Sequence, residues 1–412
     1  MLDNFSKALS GIFVGALVAR MLGPEMFGYY SMCMIVIGLA YPFITFGSDA
    51  AIFKYLVTNT SAILNSMNRI ALLRFLLAVG ITLVVFLSLN LTAPSVNKTI
   101  IILLGLSLVL DTQCLFKEYF VARRKSKLLS ISSIVSTWIG ALAKIAVVTV
   151  SPSIIALLSA VILQKVTFII LGFLAYTRAI FPQTDSSGTY EIKKCLKMSY
   201  PLIFTSVSGT LLIYTDQIVI SIFLGVEQMG IYSVASKIII SLYAIPTILS
   251  NTLFPDLAEL KAKLGYQEFN SRMGQTYRKC HLMSVILIVP FFFFSNKFID
   301  ILYGENYVTA GPVMAILSFT LFFVMMNVNN TKLILLNNDS NAILIFSVLG
   351  IIANFVMNIF FVPAFGIQGG AIATLLSLGL MCFAPFFLSR TRFIFYIQYL
   401  SLQLKANRVN LT

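Results

Sequence analysis

Twelve apolar runs, each long enough to cross a membrane as a helix, take up nearly the whole chain and constrain the fold before any motif is considered. A hydrocarbon core of about 30 Å needs roughly 20 helical residues. Runs of that order fall near 5–22, 28–50, 70–91, 99–121, 129–150, 153–177, 199–223, 230–254, 280–302, 309–335, 341–362 and 367–389 of the 412 residues. Within them apolar residues occupy consecutive positions, as in IIILLGLSLVL at 100–110. That pattern belongs to a spanning helix and lacks the alternation of a barrel strand. Charged residues make up 11% of the chain and apolar ones 58%, against roughly a quarter charged in a soluble domain. The expectation is an all-α integral membrane protein with about twelve transmembrane helices.

The basic residues orient the spans, because cytoplasmic loops retain Lys and Arg. With the N-terminus inside, that side collects 22 of the 29 basic residues, and the other side holds only Arg20, Lys98 and Lys297. Both termini are therefore expected in the cytoplasm. The net charge of +14 is then mostly topology, and no nucleic-acid partner is needed to explain it. The five cysteines fall in spans or cytoplasmic segments, and the single histidine, His281, stands beside Arg278 and Lys279. No His/Cys spacing suits a metal, and neither a GKS/T loop nor a Gly-rich dinucleotide fingerprint is present. No cofactor is expected, and energy from bound ATP is not indicated. The first apolar run lacks a small-residue cleavage site, so it reads as span one and not as a signal peptide.

One phrase occurs twice. LGPEMFGYYS at 22–31 and LGVEQMGIYS at 224–233 share six of ten residues and lie 202 positions apart, as a duplicated unit would leave them. The copies fall between spans one and two and between spans seven and eight. Gly23 and Gly225 can each take the left-handed conformation that ends a helix, and Pro24 can open the next one. An even number of spans separates the copies, so both halves cross the membrane in the same sense. The expected organisation is a six-helix bundle over 1–180, a polar cytoplasmic linker over 181–197, a second, parallel bundle over 198–390, and an interfacial amphipathic tail over 391–412. In transporters built this way the substrate path lies where the repeats meet, and alternating access comes from one repeat rocking against the other.

Three stretches carry a family resemblance: VARMLGPEMFG from Val18, YTDQIVISIFLGVEQMGIYSVASKI from Tyr214, and PAFGIQGGAIAT from Pro363. The chain resembles the polysaccharide-transporter branch of the multidrug/oligosaccharidyl-lipid/polysaccharide exporter superfamily, and within it the Wzx-type O-antigen flippases. The resemblance covers the whole chain in span number and order. It implies the fold of that superfamily and a bacterial inner-membrane flippase, not an enzyme. Such a flippase turns an undecaprenyl-pyrophosphate-linked oligosaccharide, an O-antigen or capsule repeat unit, from the cytoplasmic to the periplasmic leaflet, with membrane lipids and polysaccharide polymerase machinery as expected partners. Family members carry a longer lead before span one. Here Lys7 stands almost inside it, so either the natural start lies upstream or this lysine snorkels to the headgroups.

Four lysines fall within spans: Lys117, Lys144, Lys165 and Lys237. Each costs at least about 2 to 3 kcal/mol at mid-bilayer unless it meets water or a partner. Lys117, next to Glu118 at a span edge, reads as paired or snorkelling. Lys144 and Lys165 have no acid within four residues and read as cations lining a cavity that attracts the pyrophosphate. Lys237 is level with Asp216 across the span seven–eight hairpin, so it either joins that cavity or pairs with Asp216. Asp216 and Asp111 are candidates to bind the coupling ion, H+ or Na+. Asn327, Asn329, Asn330, Asn354 and Asn358 can bind sugar hydroxyls or bond between helices. Pro42 and Pro246 are candidate hinges. Two other functions compete. A multidrug exporter of the same superfamily would favour acids in its cavity for cationic drugs. A membrane polymerase or ligase would need a catalytic outer surface, and no outer loop exceeds about ten residues on the span lengths a bilayer imposes.

Overall fold

A computed structural model describes residues 2–49, 52, 62–92, 97–112, 116–122, 125–179, 192–250, 266–337 and 339–402. These residues form helices and short connections, with no strand among them. Among the described residues ten helical stretches are long and apolar enough to cross a membrane, the first of them Phe5–Thr45. Helix α1 (Leu2–Thr45) has 44 residues and as a straight rod would run about 66 Å, twice a hydrocarbon core. It is broken at Gly23, with φ 75° and ψ 168°, and therefore supplies two spans. The expected span at 99–121 is present in two pieces, α3 and α4, separated by residues outside the described set. The break at Gly23 makes eleven spans of the ten stretches, and α3 and α4 lie where the twelfth was expected.

The glycine of the repeated phrase does the same work in both copies, though not in the conformation expected. Gly225 has φ 90° and ψ 172°, close to Gly23. Positive φ was expected, but ψ near 170° is the extended, glycine-only region and not the left-handed helical cap. The chain leaves one helix and enters the next through a single residue.

Two compact units divide the chain, Met1–Tyr214 and Thr215–Thr412. The first holds α1, α2 (Ala62–Thr92), α3 (Lys98–Asp111), α4 (Phe116–Ala122), α5 (Ser126–Val150), α6 (Ile154–Ala179) and the first part of α7 (Ile192–Leu224). Ala40 and Ile44 of α1 meet Ala78 of α2 and Leu108 of α3 in its core, and Cys33 meets Leu104 and Leu158. The division falls inside α7; the expected linker at 181–197 lies mostly outside the described residues. Tyr214 explains its assignment to the first unit: its ring lies against Gly38, where a Cβ would come within 2.5 Å of it.

The second unit holds the end of α7, then α8 (Val226–Leu242), α9 (Tyr266–Phe293), α10 (Ser295–Tyr303), α11 (Ala310–Ser318), α12 (Thr320–Leu336), α13 (Ser340–Phe365), α14 (Ile367–Phe383) and α15 (Arg392–Leu402). Span nine was expected at 280–302. Instead α9 starts earlier and ends at Phe293, and α10 follows as a short amphipathic helix with Lys297 and Asp300 exposed and Ile299 and Tyr303 buried. Two charges at 297 and 300 are costly in hydrocarbon, which favours ending the span before them. The tail helix α15 has an outward face with Tyr396 exposed, but Ile394 and Ile397 are fully buried in a cluster with Phe269, Tyr277 and Leu333.

The prolines act locally. Pro42 lies within α1, and the chain turns just beyond it at Phe46 (φ 51°) and Gly47 (φ 62°). Pro246 leaves the carbonyl of Leu242 without its helical donor; α8 ends at Leu242 and helix resumes over 244–250. The lipid-facing surface is apolar, with Val150 86% and Phe360 68% exposed, while serines and amides point inward. That inversion is expected where the solvent is lipid.

Candidate functional site

In the second unit, Asp216 is 4% exposed on α7 and is held by three other helices. Its Oδ1 accepts from Asn354 Nδ2 at 3.1 Å and Asn358 Nδ2 at 2.8 Å. Its Oδ2 accepts from the Tyr232 hydroxyl at 2.6 Å and from the Thr374 hydroxyl. Asn354 and Asn358 are four residues apart and so share one face of α13. Tyr232 comes from α8, eight residues after Gly225's turn begins with Leu224, and Thr374 from α14. Gly370 allows α14 this close: a Cβ there would lie 2.9 Å from Ile220 and 3.4 Å from Tyr232.

This nest is not closed. The side-chain oxygens of Asn354 and Asn358 are buried with no hydrogen-bond partner, and both residues are 0% exposed. The Asn354 amide also lies 3.3 Å from Thr374 Oγ1 and 3.3 Å from Ser377 Oγ, so three acceptors compete for its two N–H groups. Buried acceptors without donors call for an explanation such as an ion. Lys237, read either as a cavity cation or as a partner of Asp216, is not one of these four donors; it lies half-buried on α8.

In the first unit, the acid that local sequence did not supply to Lys165 comes from 54 positions away. Lys165 Nζ donates to Asp111 Oδ2 at 2.7 Å, to Ser107 Oγ at 2.7 Å and to the Ser107 carbonyl at 3.2 Å. Its three N–H groups are thereby matched. Lys144 Nζ donates to Gln164 Oε1 at 2.9 Å, a neutral partner. Gln164 in turn packs on Gly140, where a Cβ would come within 2.6 Å of it. A cavity of about 240 Å³ opens here, with Tyr41, Asp111, Thr137, Gln164, Lys165 and Phe168 on its wall. Lys117 also lines it and is exposed.

Sequence reasoning missed two features. Arg74, counted as a loop cation, is 2% exposed and bonds Asp49 at 2.7 Å and Ser48 at 3.0 Å. Asn354 and Asn358 were noted but not joined to Asp216; their four-residue spacing in an apolar helix was the available signal. The remaining amides bond between helices: Asn330 accepts from Tyr277 at 2.6 Å and from Gln398 at 2.9 Å, tying α9 and α15 to α12, and Asn327 donates to the Leu378 carbonyl at 3.2 Å. Among the described residues no group of three or more His, Cys, Asp or Glu is placed to hold a metal ion.

Residues 17–312 match the family described as polysaccharide biosynthesis protein. A probable low-salt glycan biosynthesis flippase, Agl15 of Haloferax volcanii, is 24% identical over 179 residues, 42% of this chain. The match spans 37% of that relative's own length. Over nearly the whole chain the fold is shared with the solved lipid II flippase MurJ in its inward closed conformation, at a TM-score of 0.73 and 15% identity, covering 97% of this chain and 90% of that one. It is also shared with an inward-facing multidrug resistance MATE family transporter of the MOP superfamily, at 0.62 and 13% identity, covering 96% and 94%. The expected superfamily fold is the observed one.

Proposed function

The chain belongs to the polysaccharide biosynthesis protein family, and from that premise we propose that it is a flippase for a lipid-linked glycan precursor. The substrate is an undecaprenyl-pyrophosphate-linked O-antigen or capsule repeat unit, moved by alternating access from the cytoplasmic to the periplasmic leaflet of a bacterial inner membrane. The product then passes to polymerase machinery. Both termini lie in the cytoplasm on this reading, as the distribution of Lys and Arg requires.

The observation that carries the reading is the open nest at Asp216. A carboxylate and two amide oxygens without donors, all buried, are hard oxygen ligands suited to a cation. A proton on Asp216 supplies one O–H donor and so answers at most one of the two amide oxygens, whereas Na+ takes several oxygen ligands at once and fits the donor set better. Binding a cation from one side of the membrane and releasing it on the other couples the ion gradient to transport. Asp111, neutralised by Lys165 at 2.7 Å, offers no such site. Lys144, with a neutral partner, keeps its charge for the pyrophosphate, and Lys237 is the corresponding cation of the second unit.

A multidrug exporter would need interior acids open to cationic drugs. Asp216 is enclosed and Asp111 is paired, which counts against it. Profiling lipid-linked oligosaccharides in cells lacking the protein tests the choice. Accumulation of a cytoplasmic-leaflet intermediate is the expected result; an unchanged profile with altered drug tolerance would overturn the flippase reading.

A further inference from the structure

The cavity in the first unit has a chemistry that the anion-binding role does not use. We propose that it is a subsite for one neutral, hydroxyl-rich sugar ring of the glycan, an inference that rests on the flippase reading and gives the ring a place apart from the pyrophosphate. Its volume of about 240 Å³ is many times the roughly 10 to 15 Å³ that one water needs on the same measure. That is too roomy for an ion and sufficient for a pyranose ring.

The wall is polar, and four of its five charged groups are paired off. Asp111 and Lys165 neutralise each other at 2.7 Å, and so do Asp3 and Lys7 at 3.1 Å. All three Lys165 N–H groups are already matched within the protein, so none remains to receive a phosphate oxygen. A phosphate here would also meet the Asp111 carboxylate, like charge against like at a largely buried group. Lys117, on the same wall, is exposed, and its charge is screened by solvent. The cavity therefore disfavours the group that the cationic reading of Lys165 would have put in it.

Sugar hydroxyls meet the opposite conditions. Each donates and accepts, and the wall offers both. Thr137 is 4% exposed and its Oγ1 is buried with no partner, a cost that a ligand hydroxyl would relieve. Ser133, Ser136 and Thr137 follow one another at three and four residues on one face of α5, and all three line the cavity. Asp111 has its Oδ1 left to accept. Tyr41 and Phe168 add aromatic surface against which the C–H face of a pyranose ring can pack.

The test uses the full-length protein in lipid nanodiscs and saturation-transfer NMR. The probes are methyl glycosides of neutral hexoses and of N-acetylhexosamines, a free uronic acid, and inorganic pyrophosphate. At least one neutral glycoside should bind, pyrophosphate should not compete with it, and Thr137→Val and Ser136→Ala should each weaken binding about three- to tenfold. Thr137→Val keeps the shape of the side chain, and the fluorescence of Trp138, the sole tryptophan and its neighbour in the chain, together with the melting temperature, confirms folding. Should that variant misfold, Ser136→Ala decides. Absence of binding by every neutral glycoside, competition by pyrophosphate, or unchanged binding in both variants would each overturn the proposal. Glycoside binding is read without transport. A protein whose loss blocks glycan flipping yet binds no glycoside loses this subsite and keeps its function; the reverse result does the opposite.

Discussion

Replacing Asp216 with Asn removes one charge from the second unit while preserving the shape of the side chain. Two of its four donors are hydroxyls, Tyr232 and Thr374, which can turn and accept from the new amide, so the nest is repaired in part. The cation is not replaced. A ligand held only by the folded state stabilises it by about 2.7 kcal/mol at 100 times its Kd. An unfolding entropy of about 2.1 cal/mol/K per residue, over 412 residues, is about 0.9 kcal/mol/K, so the stabilisation corresponds to a rise of about 3 °C in Tm. The assay is thermal unfolding of the purified protein at constant ionic strength while choline is exchanged for Na+. The wild type should rise by that amount, Asp216→Asn should stay flat, and Asn354→Ala and Asn358→Ala should respond weakly. The same rise in Asp216→Asn, or a wild type indifferent to Na+, would refute the reasoning from the unmatched oxygens.

Breaking the Lys165–Asp111 pair from either side should destabilise the first unit by about 1 to 3 kcal/mol, below the range for a fully buried pair because the side chains are 21% and 17% exposed. Lys165→Met with Asp111→Asn should cost less than the sum of the singles, and an additive double-mutant cycle in thermal denaturation would deny the coupling. Gly225→Ala should cost about 1 to 3 kcal/mol from backbone strain alone. Gly209→Ala, in a helix interior, should instead gain up to about 1 kcal/mol. No atom lies within 4 Å of either new Cβ, so equal Tm changes would show that φ does not decide the sign. In a cysteine-free background, a cysteine at Glu227 should react with an impermeant thiol reagent outside spheroplasts and one at Lys263 should not; the opposite labelling would invert the topology. Glycan flipping should survive Lys144→Arg, fall with Lys144→Ala and fall furthest with Lys144→Glu, at matched expression, since repulsion of the pyrophosphate acts over several ångströms.

Span positions were legible because hydrocarbon thickness sets a length that a run of apolar residues either reaches or misses. The partners of the buried charges were not legible. Asp216 is answered by Asn354 and Asn358, 138 and 142 residues later, and Lys165 by Asp111, 54 residues earlier; local spacing carries no trace of either. Of the two readings open for Lys237, the pairing with Asp216 shows the other limit. Counting residues from a hairpin gives depth in the membrane but not rotation about the helix axis. Tyr232 faces Asp216, and five residues further along α8 the chain has turned about 140° beyond a full turn, which carries Lys237 away from that face. Arg74 misled for a related reason: a basic residue near a span end counts as a loop cation, and only the turn at Phe46 and Gly47 brings Asp49 to it.

The repeated phrase repeats the scaffold and not the chemistry. Gly23 and Gly225 break the chain with nearly the same angles. Tyr30 and Tyr232 are both buried, and so are Ser31 and Ser233. Carried back by the same 202 positions, however, Asp216 falls on Val14 and Lys237 on Ile35. The first copy of the tyrosine thus has no carboxylate at the matching position, while the balanced pair Lys165–Asp111 and the cavity beside it belong to the first unit. The two halves therefore carry different chemistry on one backbone plan. On the reading proposed above, the half with a buried carboxylate and unmatched oxygens holds the small cation, and the half with hydroxyls and a neutralised ion pair holds the polar, uncharged ring. A transporter that must bind both an ion and a glycan can meet both needs in this way without building either site from identical parts.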